Sequence, residues 1–242
     1  MLRRRRRDNA VQQDPGQERP ERELLDDQDT GAGRDAGPWD ISDEFPETER
    51  IDCGSLLVPV RDGFDVQINI AEEEGAWVAV VNGESGMQLQ AFAAPRSGGL
   101  WDEVRNEIAA NIAESGGSCQ ESDGPSGPQL RASVPVGAED EPSAAGQPQP
   151  VRFLGFDGPR WFLRGVISGP AATDPAAGAA FDELFADVVV VRGDYPAPPR
   201  EQLEIRLPEE ARQALEEQLA EQDQGWELPD PFTRGPEISE TR

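Results

Sequence analysis

Hydrophobic and polar residues alternate in several short stretches of the chain, as they do in β-strands that have one buried face. Stretches with this pattern, or with a short apolar run, are residues 56–60, 65–70, 77–81, 87–93, 130–136, 151–156 and 160–168. Residues 77–81 are apolar at every position, which is typical of a central strand covered on both faces. The pattern predicts a sheet in the middle of the chain, and residues 203–207 predict a further edge strand.

Two segments have the three- and four-residue spacing of apolar positions that is typical of amphipathic helices. The first covers residues 101–112, with the apolar stripe Trp101, Val104, Ile108 and Ile112. The second begins at Asp174-Pro175, an N-cap residue followed by proline at the first helical position. Its apolar stripe is Phe181, Leu184, Phe185 and Val188. Residues 208–223 predict a third helix, which is acidic and only weakly amphipathic.

Asp157-Gly158 lies between two of these strands and predicts a two-residue hairpin turn. Such a turn would place Leu154 opposite Trp161. One face of the hairpin would carry Arg152, Leu154, Phe156, Trp161, Leu163 and Ile167. The other would carry Phe153, Phe162 and Val166, together with Arg160 and Arg164. Because both faces carry aromatic residues, the hairpin is either central in the sheet or part of an interface.

The order of elements occurs twice along the chain. A strand, a small residue and a proline precede an aromatic-Asp-Glu helix at Trp101 and again at Phe181. We therefore predict an α+β fold, with an antiparallel sheet packed against two main helices. A pseudo-repeat of two β-β-β-α units would build such a fold.

Composition divides the chain into three segments. Residues 1–36 are highly charged and contain few apolar residues, so we expect a disordered tail. Residues 37–207 are expected to form one α+β domain, interrupted by a low-complexity loop at 137–150. Residues 208–242 are expected to form an acidic helix and tail. Trp39 is the first large apolar residue, and we expect it to pack on the domain.

The charge of the chain excludes several classes of function. The 242 residues include 48 acidic and 22 basic ones, which gives a net charge of −26, and every basic residue is arginine. This charge argues against general binding of nucleic acid, because the phosphates would be repelled. Without Lys and His there is no P-loop or Schiff-base lysine, no Ser-His-Asp triad and no imidazole metal ligand. These absences favour a protein that is not an enzyme.

The sequence predicts no cofactor and no metal site. Cys53 and Cys119 are too few for a closed zinc site, and we expect two reduced, partly buried thiols. The three consecutive acids at residues 72–74 precede Gly75 and are typical of a solvated turn rather than of a metal site.

A run of basic residues stands at the start of the chain: Arg3, Arg4, Arg5, Arg6 and Arg7. No apolar stretch follows it, so a secretory signal is not expected, and no run of 18 apolar residues predicts a transmembrane segment. We expect a solvated tail. The alternative is weak contact with anionic lipid or RNA, at about 1 kcal/mol per charge near a surface.

Several blocks of the chain resemble a single family. They include Gly37-Pro38-Trp39-Asp40, Gly54-Ser55-Leu56-Leu57-Val58-Pro59, Trp101-Asp102-Glu103-Val104-Arg105 and the long block from Asp157 to Gly169. On these blocks, residues 37–207 resemble the actinobacterial domain-of-unknown-function family 3710. The resemblance implies an actinobacterial source and a cytoplasmic location. It implies no activity, because the family has none assigned.

The strand at residues 160–168 carries the best candidate site. Arg160 and Arg164 are four residues apart and would share one strand face, with Phe162 between them. Together they could bind a carboxylate, a phosphate or an acidic segment of a partner. Trp101, at the start of a helix, could line a pocket beside this strand. The structural alternative is an ordinary core strand whose arginines pair with the many acids, and a tryptophan that fills the core. No catalytic residue is nominated.

The main hypothesis is a non-enzymatic protein-interaction or adaptor module of the cytoplasm, with another protein as its partner. It rests on the missing catalytic groups and on a hairpin with aromatic residues on both faces. The alternative is an enzyme or small-ligand binder that uses Arg160, Arg164 and carboxylates in a cleft. A concave pocket where arginines meet acids would favour this alternative, and a flat apolar patch would count against it.

Overall fold

The computed structural model describes residues 36–71, 75–135, 148–209 and 211–213. Its strands are β1 (Trp39–Asp40), β2 (Arg50–Asp52), β3 (Leu56–Pro59), β4 (Asp65–Ala71), β5 (Gly75–Asn82), β6 (Ser85–Ala93), β7 (Ser118–Gly124), β8 (Gly127–Val134), β9 (Gln149–Gly158), β10 (Trp161–Ser168) and β11 (Val189–Val190). Its two long helices are α1 (Leu100–Glu114) and α2 (Pro175–Ala186), and a 3₁₀ turn spans Pro170–Ala172. The predicted α+β fold with two main helices is confirmed.

Several predictions fall outside the described residues. They concern most of the N-terminal tail including Arg3–Arg7, the acids at 72–74, the loop at 137–147, and residues 214–242. Of the predicted third helix, the described residues Glu209 and 211–213 are helical.

Seven strands form the main sheet, in the order β4-β5-β6-β10-β9-β8-β7, and every neighbouring pair is antiparallel. Two meanders, β4-β5-β6 and β8-β9-β10, meet at the β6–β10 pair, where Leu163 lies opposite Ala91. This is the strand order that two consecutive three-stranded units would give. Their helices, however, pack on opposite faces of the sheet.

Side-chain alternation separates the two faces. On one, which we call the α2 face, Ala91 and Leu163 are fully buried and Gly165 lies under the Phe185 ring of α2. On the other, the α1 face, Phe162 stacks on Trp101 of α1. The helices cover both faces of β10, which explains why that strand is apolar on both sides.

The hairpin between β9 and β10 turns at residues 159–160, two residues later than predicted. Leu154 pairs with Gly165 rather than with Trp161, and Trp161 pairs with Gly158. The predicted register is therefore wrong by four residues. Because side chains alternate with a period of two, an even shift leaves every residue on its predicted face.

Packing and helix capping explain the later turn. A Cβ atom at Gly158 would lie 2.1 Å from the Trp161 ring, so this glycine makes room for the indole instead of forming the turn. Asp157 remains in the strand and accepts hydrogen bonds from the start of α1. The turn instead contains Arg160, whose φ of 61° lies in the left-handed region.

A small four-stranded sheet, in the order β1-β11-β3-β2, packs with α2 on the α2 face. β1 runs parallel to β11, and the other two pairs are antiparallel. The apolar run after α2 forms β11 at Val189–Val190. Leu56 and Val58 of β3 and Val190 of β11 are fully buried in the main core.

Residues 200–206, which we call the strap, connect the two sheets. The N–H of Arg200 donates to the Ala93 carbonyl (2.7 Å), and the N–H of Leu203 donates to the Ala91 carbonyl (2.8 Å). The N–H of Arg206 then donates to the Cys53 carbonyl beside β3 (2.9 Å). The predicted edge strand at 203–207 is therefore wrong. The strap forms only isolated bridges, from Gln202 to Phe92 and from Ile205 to Gly54, and Leu203 is buried.

A buried hydrogen bond fixes β1 to the middle of the main sheet. The indole Nε1 of Trp161 donates to a carboxylate oxygen of Asp40 (2.6 Å), and both residues are buried. The other carboxylate oxygen accepts from the backbone N–H and the hydroxyl of Ser42 (3.0 and 2.5 Å). The predicted packing of Trp39 on the domain is confirmed, since that side chain is 6 % exposed.

Trp161→Phe keeps an aromatic ring but removes the donor to Asp40. The buried carboxylate then lacks one partner, so the free energy of unfolding should fall by about 1.5–3 kcal/mol from the lost hydrogen bond alone. Chemical denaturation followed by circular dichroism measures this change. Tyr195→Phe, at a side chain that is 84 % exposed, is the control and should stay within about 0.5 kcal/mol of wild type. Equal stability of Trp161→Phe and wild type would contradict this account of Asp40.

Candidate functional site

Helix α1 covers only part of the α1 face. It packs against β7, β8 and β9. Over β4, β5 and the adjoining side of β6, no helix of the described residues covers this face. We call this region the open half. Its side chains are all partly or largely exposed: Asp65, Gln67, Asn69, Trp77, Ala79, Val81 and Gln88.

The expectation that residues 77–81 are covered on both faces is therefore wrong. Val78 and Val80 are fully buried on the α2 face. Trp77, Ala79 and Val81 point to the other face and keep part of their surface accessible. β5 is an internal strand of the sheet, as its composition predicts, but its side chains on the α1 face are only partly buried.

A cleft of about 250 Å³, which we call the α1 cleft, lies on the same face where α1 meets the sheet. Its apolar lining is Phe92, Leu100, Val104, Ile108 and Phe162. Its polar lining is Glu107, Asn111, Arg164 and Arg200. Aromatic and arginine side chains thus come together in a concave surface that continues onto β6.

Stacked aromatic rings build the floor of this cleft. The Phe162 ring lies between those of Phe92 and Trp101, with centroid distances of 6.0 and 5.7 Å. Trp101 is buried, and its Nε1 donates to the Pro128 carbonyl (2.7 Å). A Cβ at Gly155 would lie 2.2 Å from the indole, so glycine is required there. Trp101 therefore fills the core, as the structural alternative expected, and supports the cleft from below.

Arg164 is half-buried and connects the cleft to the strap. Its guanidinium lies 5.3 Å above the centre of the Phe92 ring, and its Nη2 donates to the Gln90 side-chain oxygen. The Gln90 amide in turn donates to the Ala76 carbonyl (3.2 Å), which also accepts from the side-chain amide of Gln202 in the strap. These amides bridge β5 and β6 where the two strands stop pairing directly.

Arg200 closes one end of the cleft, and the sequence did not nominate it. It donates to the carboxylates of Glu103 and Glu107 on α1 (3.0 and 2.9 Å), and these hydrogen bonds lower the pKa of Glu107. Its φ of 73° lies in the left-handed region. The residue sits in a proline-rich segment far from Arg164 in sequence, where no periodic pattern marks it.

The structure brings three of the four predicted site residues together. Phe162 and Arg164 line the cleft, and Trp101 stacks on Phe162. Arg160 does not line it, because it occupies the turn before β10. Its carbonyl accepts from the N–H of Ala94 (2.9 Å) and from Nε of Arg192 (3.2 Å).

Asp157 caps the helix that forms one wall of the cleft. The N-cap residue Gly99 has no side chain to satisfy the first N–H groups of α1. Both carboxylate oxygens of Asp157 accept from the N–H of Trp101 (3.2 Å each), and Leu100 and Gly99 also donate. Burial raises the pKa of Asp157, and these hydrogen bonds oppose the increase. A strand residue thus acts as the helix cap.

Other charged and thiol groups serve the architecture. Buried Arg152 of β9 pairs with Asp182 of α2 (2.9 Å). Burial raises the pKa of the Cys53 thiol to about 11, so it stays protonated at neutral pH. Cys53 and Cys119 are both free. Among the described residues, no three Cys, Asp or Glu side chains come together as a metal site would require. In that same part of the chain, no helix has both the length and the apolar character needed to cross a membrane.

Comparison with known proteins gives one informative result. A family model described as "Protein of unknown function (DUF3710)" matches residues 37–214, which include every residue of the α1 cleft. The match confirms the resemblance found in the sequence. It ends at residue 214, seven residues after the end of the resembling region. Neither the curated proteins nor the solved structures yield a match.

Asp157→Asn removes an ionisable group but keeps an acceptor for the start of α1. A carboxyl whose pKa is raised by folding favours the folded state while it is protonated, below the ordinary value of about 3.9. That contribution is lost as the pH rises through the raised pKa. The free energy of unfolding of the variant, minus that of wild type, should therefore increase from about pH 3.5 to about pH 6. Urea denaturation at several pH values measures this difference.

The control for losing one negative charge is Asp62→Asn, at an exposed loop position. If the free energy of unfolding of Asp157→Asn, minus that of wild type, stays constant or falls across this pH range, burial does not raise the pKa of Asp157.

Proposed function

The chain belongs to the family of proteins of unknown function DUF3710, and we propose that it is a non-enzymatic protein-interaction module of the cytoplasm. The binding surface in this proposal consists of the α1 cleft and the open half of the sheet. The observation that carries it is an uncovered, largely uncharged sheet surface beside a cleft lined by aromatic rings and arginine.

Composition supports a protein partner at this surface. Aromatic and arginine side chains are enriched in protein interfaces and supply many of the residues with large binding contributions. Phe92 offers apolar contact area above the buried Phe162 ring, while Arg164 presents a planar donor group. Trp77, at the centre of the open half, adds a further accessible ring.

Charge supports the same surface. The chain carries a net charge of −26, yet the open half has one charged side chain, Asp65, which lies at the start of β4. An approaching segment meets the least repulsion at such a region. Gln67, Asn69 and Gln88 can each donate to and accept from the backbone of a partner.

The size of the cleft supports a side-chain anchor. Pockets for drug-sized ligands usually enclose about 300–1,000 Å³, and the α1 cleft encloses about 250 Å³. One apolar side chain of a partner would fill it between Val104 and Phe162. A carbonyl or carboxylate next to that anchor would lie within reach of Arg164.

A second candidate function is the binding of a small anionic ligand. It is favoured by Arg164 and Arg200, which line the same concave cleft, with Glu107 beside them. Glu107 is engaged by Arg200, however, so it is not an available catalytic acid. This candidate uses Arg164 without Arg160.

Site-specific photocrosslinking tests the proposed surface in cells of the source organism. A benzoylphenylalanine at Asn111, which lines the cleft, should capture a discrete partner protein. The same group at Asn106, also exposed on α1 but outside the cleft, is the matched control and should capture little. Adding Arg164→Gln to the Asn111 probe removes a charge-assisted hydrogen bond and should lower the yield about tenfold.

Arg131→Gln, an exposed arginine on β8, is the control for charge loss and should leave the yield unchanged. Equal capture from positions 106 and 111 would contradict the proposal. The small-ligand candidate would replace it if neither position captures a protein and an anionic metabolite raises the melting temperature of wild type but not of Arg164→Gln.

A further inference from the structure

The outer edge of β4 is a second surface, separate from the α1 cleft. β4 ends the seven-stranded sheet, and no strand of the described residues pairs with its outer side. In the sheet order, β5 lies between it and β6, whose Phe92 lines the cleft. An edge strand presents unpaired N–H and C=O groups, which another extended chain can pair with.

The neighbouring ladders show which groups of β4 face outward. In an antiparallel sheet, alternate residues of a strand bond to one neighbour and the intervening residues bond to the other. On β6, Ala91 and Ala93 bond to the strap, on the β5 side of the strand. Leu89 precedes Ala91 by two residues, so its backbone groups also point to the β5 side. They therefore bond to its β5 partner, Val78.

β5 therefore bonds to β4 through the intervening residues Trp77 and Ala79, which pair with Asn69 and Gln67. The intervening residues of β4 direct their backbone groups away from the sheet. They are Val66, Ile68 and Ile70, which supply three N–H and three C=O groups along seven residues of strand.

The side chains make this edge apolar and unprotected. Ile70 is 80 % exposed, and β4 contains no Lys, Arg or Pro and only one acid, Asp65. Natural edge strands usually carry such charges or prolines to prevent pairing. The opposite edge, β7, has acids at the outward-facing positions Glu121 and Asp123, and Glu121 also bonds to Arg105 of α1. The two edges thus differ: β7 carries two acids and a contact with α1, whereas β4 carries one acid and the exposed Ile70.

The charge around β4 indicates the chemistry of the added strand. Asp62 and Asp65 are exposed at the start of the strand, and neither forms an ion pair with another described residue. A basic residue at the matching end of an added segment would meet both carboxylates. A second copy of the chain would instead bring another net charge of −26 to this edge.

From these observations we propose that the outer edge of β4 binds, by strand addition, an extended segment of another protein. The segment has apolar residues at alternate positions and a basic residue at the end that meets Asp62 and Asp65. Its main chain pairs with Val66, Ile68 and Ile70, and its apolar side chains cover Ile70.

A labelled peptide tests this proposal on the full chain. The probe is the fluorescein-labelled decapeptide Gly-Ser-Val-Thr-Ile-Thr-Val-Thr-Arg-Arg, and binding is measured by fluorescence anisotropy. When it adds antiparallel to β4, as the other strands of the sheet pair, its C-terminal arginines lie at the start of that strand. Wild type should bind it saturably. Replacing the central isoleucine of the probe with proline, or both arginines with glutamate, should weaken binding at least about tenfold, because pairing or charge complementarity is lost.

Ile70→Pro is the informative variant, because it removes an outward-facing donor at an exposed position and leaves the β5 ladder intact. It should weaken binding about tenfold, with its fold checked by circular dichroism. Ile41→Thr, at another exposed isoleucine, is the control and should bind as wild type does. Hydrogen exchange on wild type gives a measurement that needs no variant, since the probe should protect the amides of Val66, Ile68 and Ile70.

Four results would overturn the proposal. They are the absence of saturable binding, equal binding by a folded Ile70→Pro, protection of amides elsewhere only, and dimers of the chain that Ile70→Pro abolishes while the probe does not bind. The photocrosslinking yield from Asn111 is independent of Ile70, so failure here leaves the α1 cleft proposal standing, and the reverse also holds.

Discussion

The hydrogen bond between the Trp161 indole and the Asp40 carboxylate is the constraint on which much of the fold depends. A buried carboxylate is costly unless donors surround it, so Asp40 must sit where the indole and Ser42 can reach it. This places β1 over the centre of the main sheet and next to β11. Trp161 in turn needs the space that Gly158 leaves, and that requirement moves the hairpin turn to residues 159–160. Two of the segments that carry the family resemblance are thus joined by one contact.

The two faces of the main sheet are covered unequally. The α2 face carries both α2 and the small sheet, and its side chains form a continuous core. Among the described residues, one helix lies on the α1 face, and the open half and the α1 cleft lie beside it. Because a helix is about 10 Å wide and neighbouring strands are about 4.8 Å apart, a single helix covers roughly two to three strands. The incomplete cover follows from this mismatch, and both the cleft and the proposed docking surface result from it.

Local patterns predicted the elements well and their contacts less well. The stripes of α1 and α2 and the Asp174 N-cap could be read directly, because helical spacing and capping depend on neighbouring residues. The face of each β9 and β10 residue was also predictable from alternation. The turn was misplaced because Gly158 serves packing, a tertiary requirement that a dipeptide does not reveal. Arg200 was missed for a similar reason, since only the path of the strap brings it to α1.

Side-chain amides that bond to the Ala76 carbonyl connect the cleft to the strap. Arg164 bonds to Gln90, and Gln90 and Gln202 share one acceptor at the point where β5 and β6 diverge. A partner that draws the Arg164 guanidinium toward itself changes the balance of bonds that hold the strap between the sheets. Thermodynamic linkage makes this effect reciprocal, so whatever stabilises or displaces the strap alters affinity at the cleft by the same factor. Since residues 207–242 follow the strap in the sequence, a ligand of that segment that displaces the strap would remove the Gln202 hydrogen bond to Ala76, next to the Gln90 partner of Arg164.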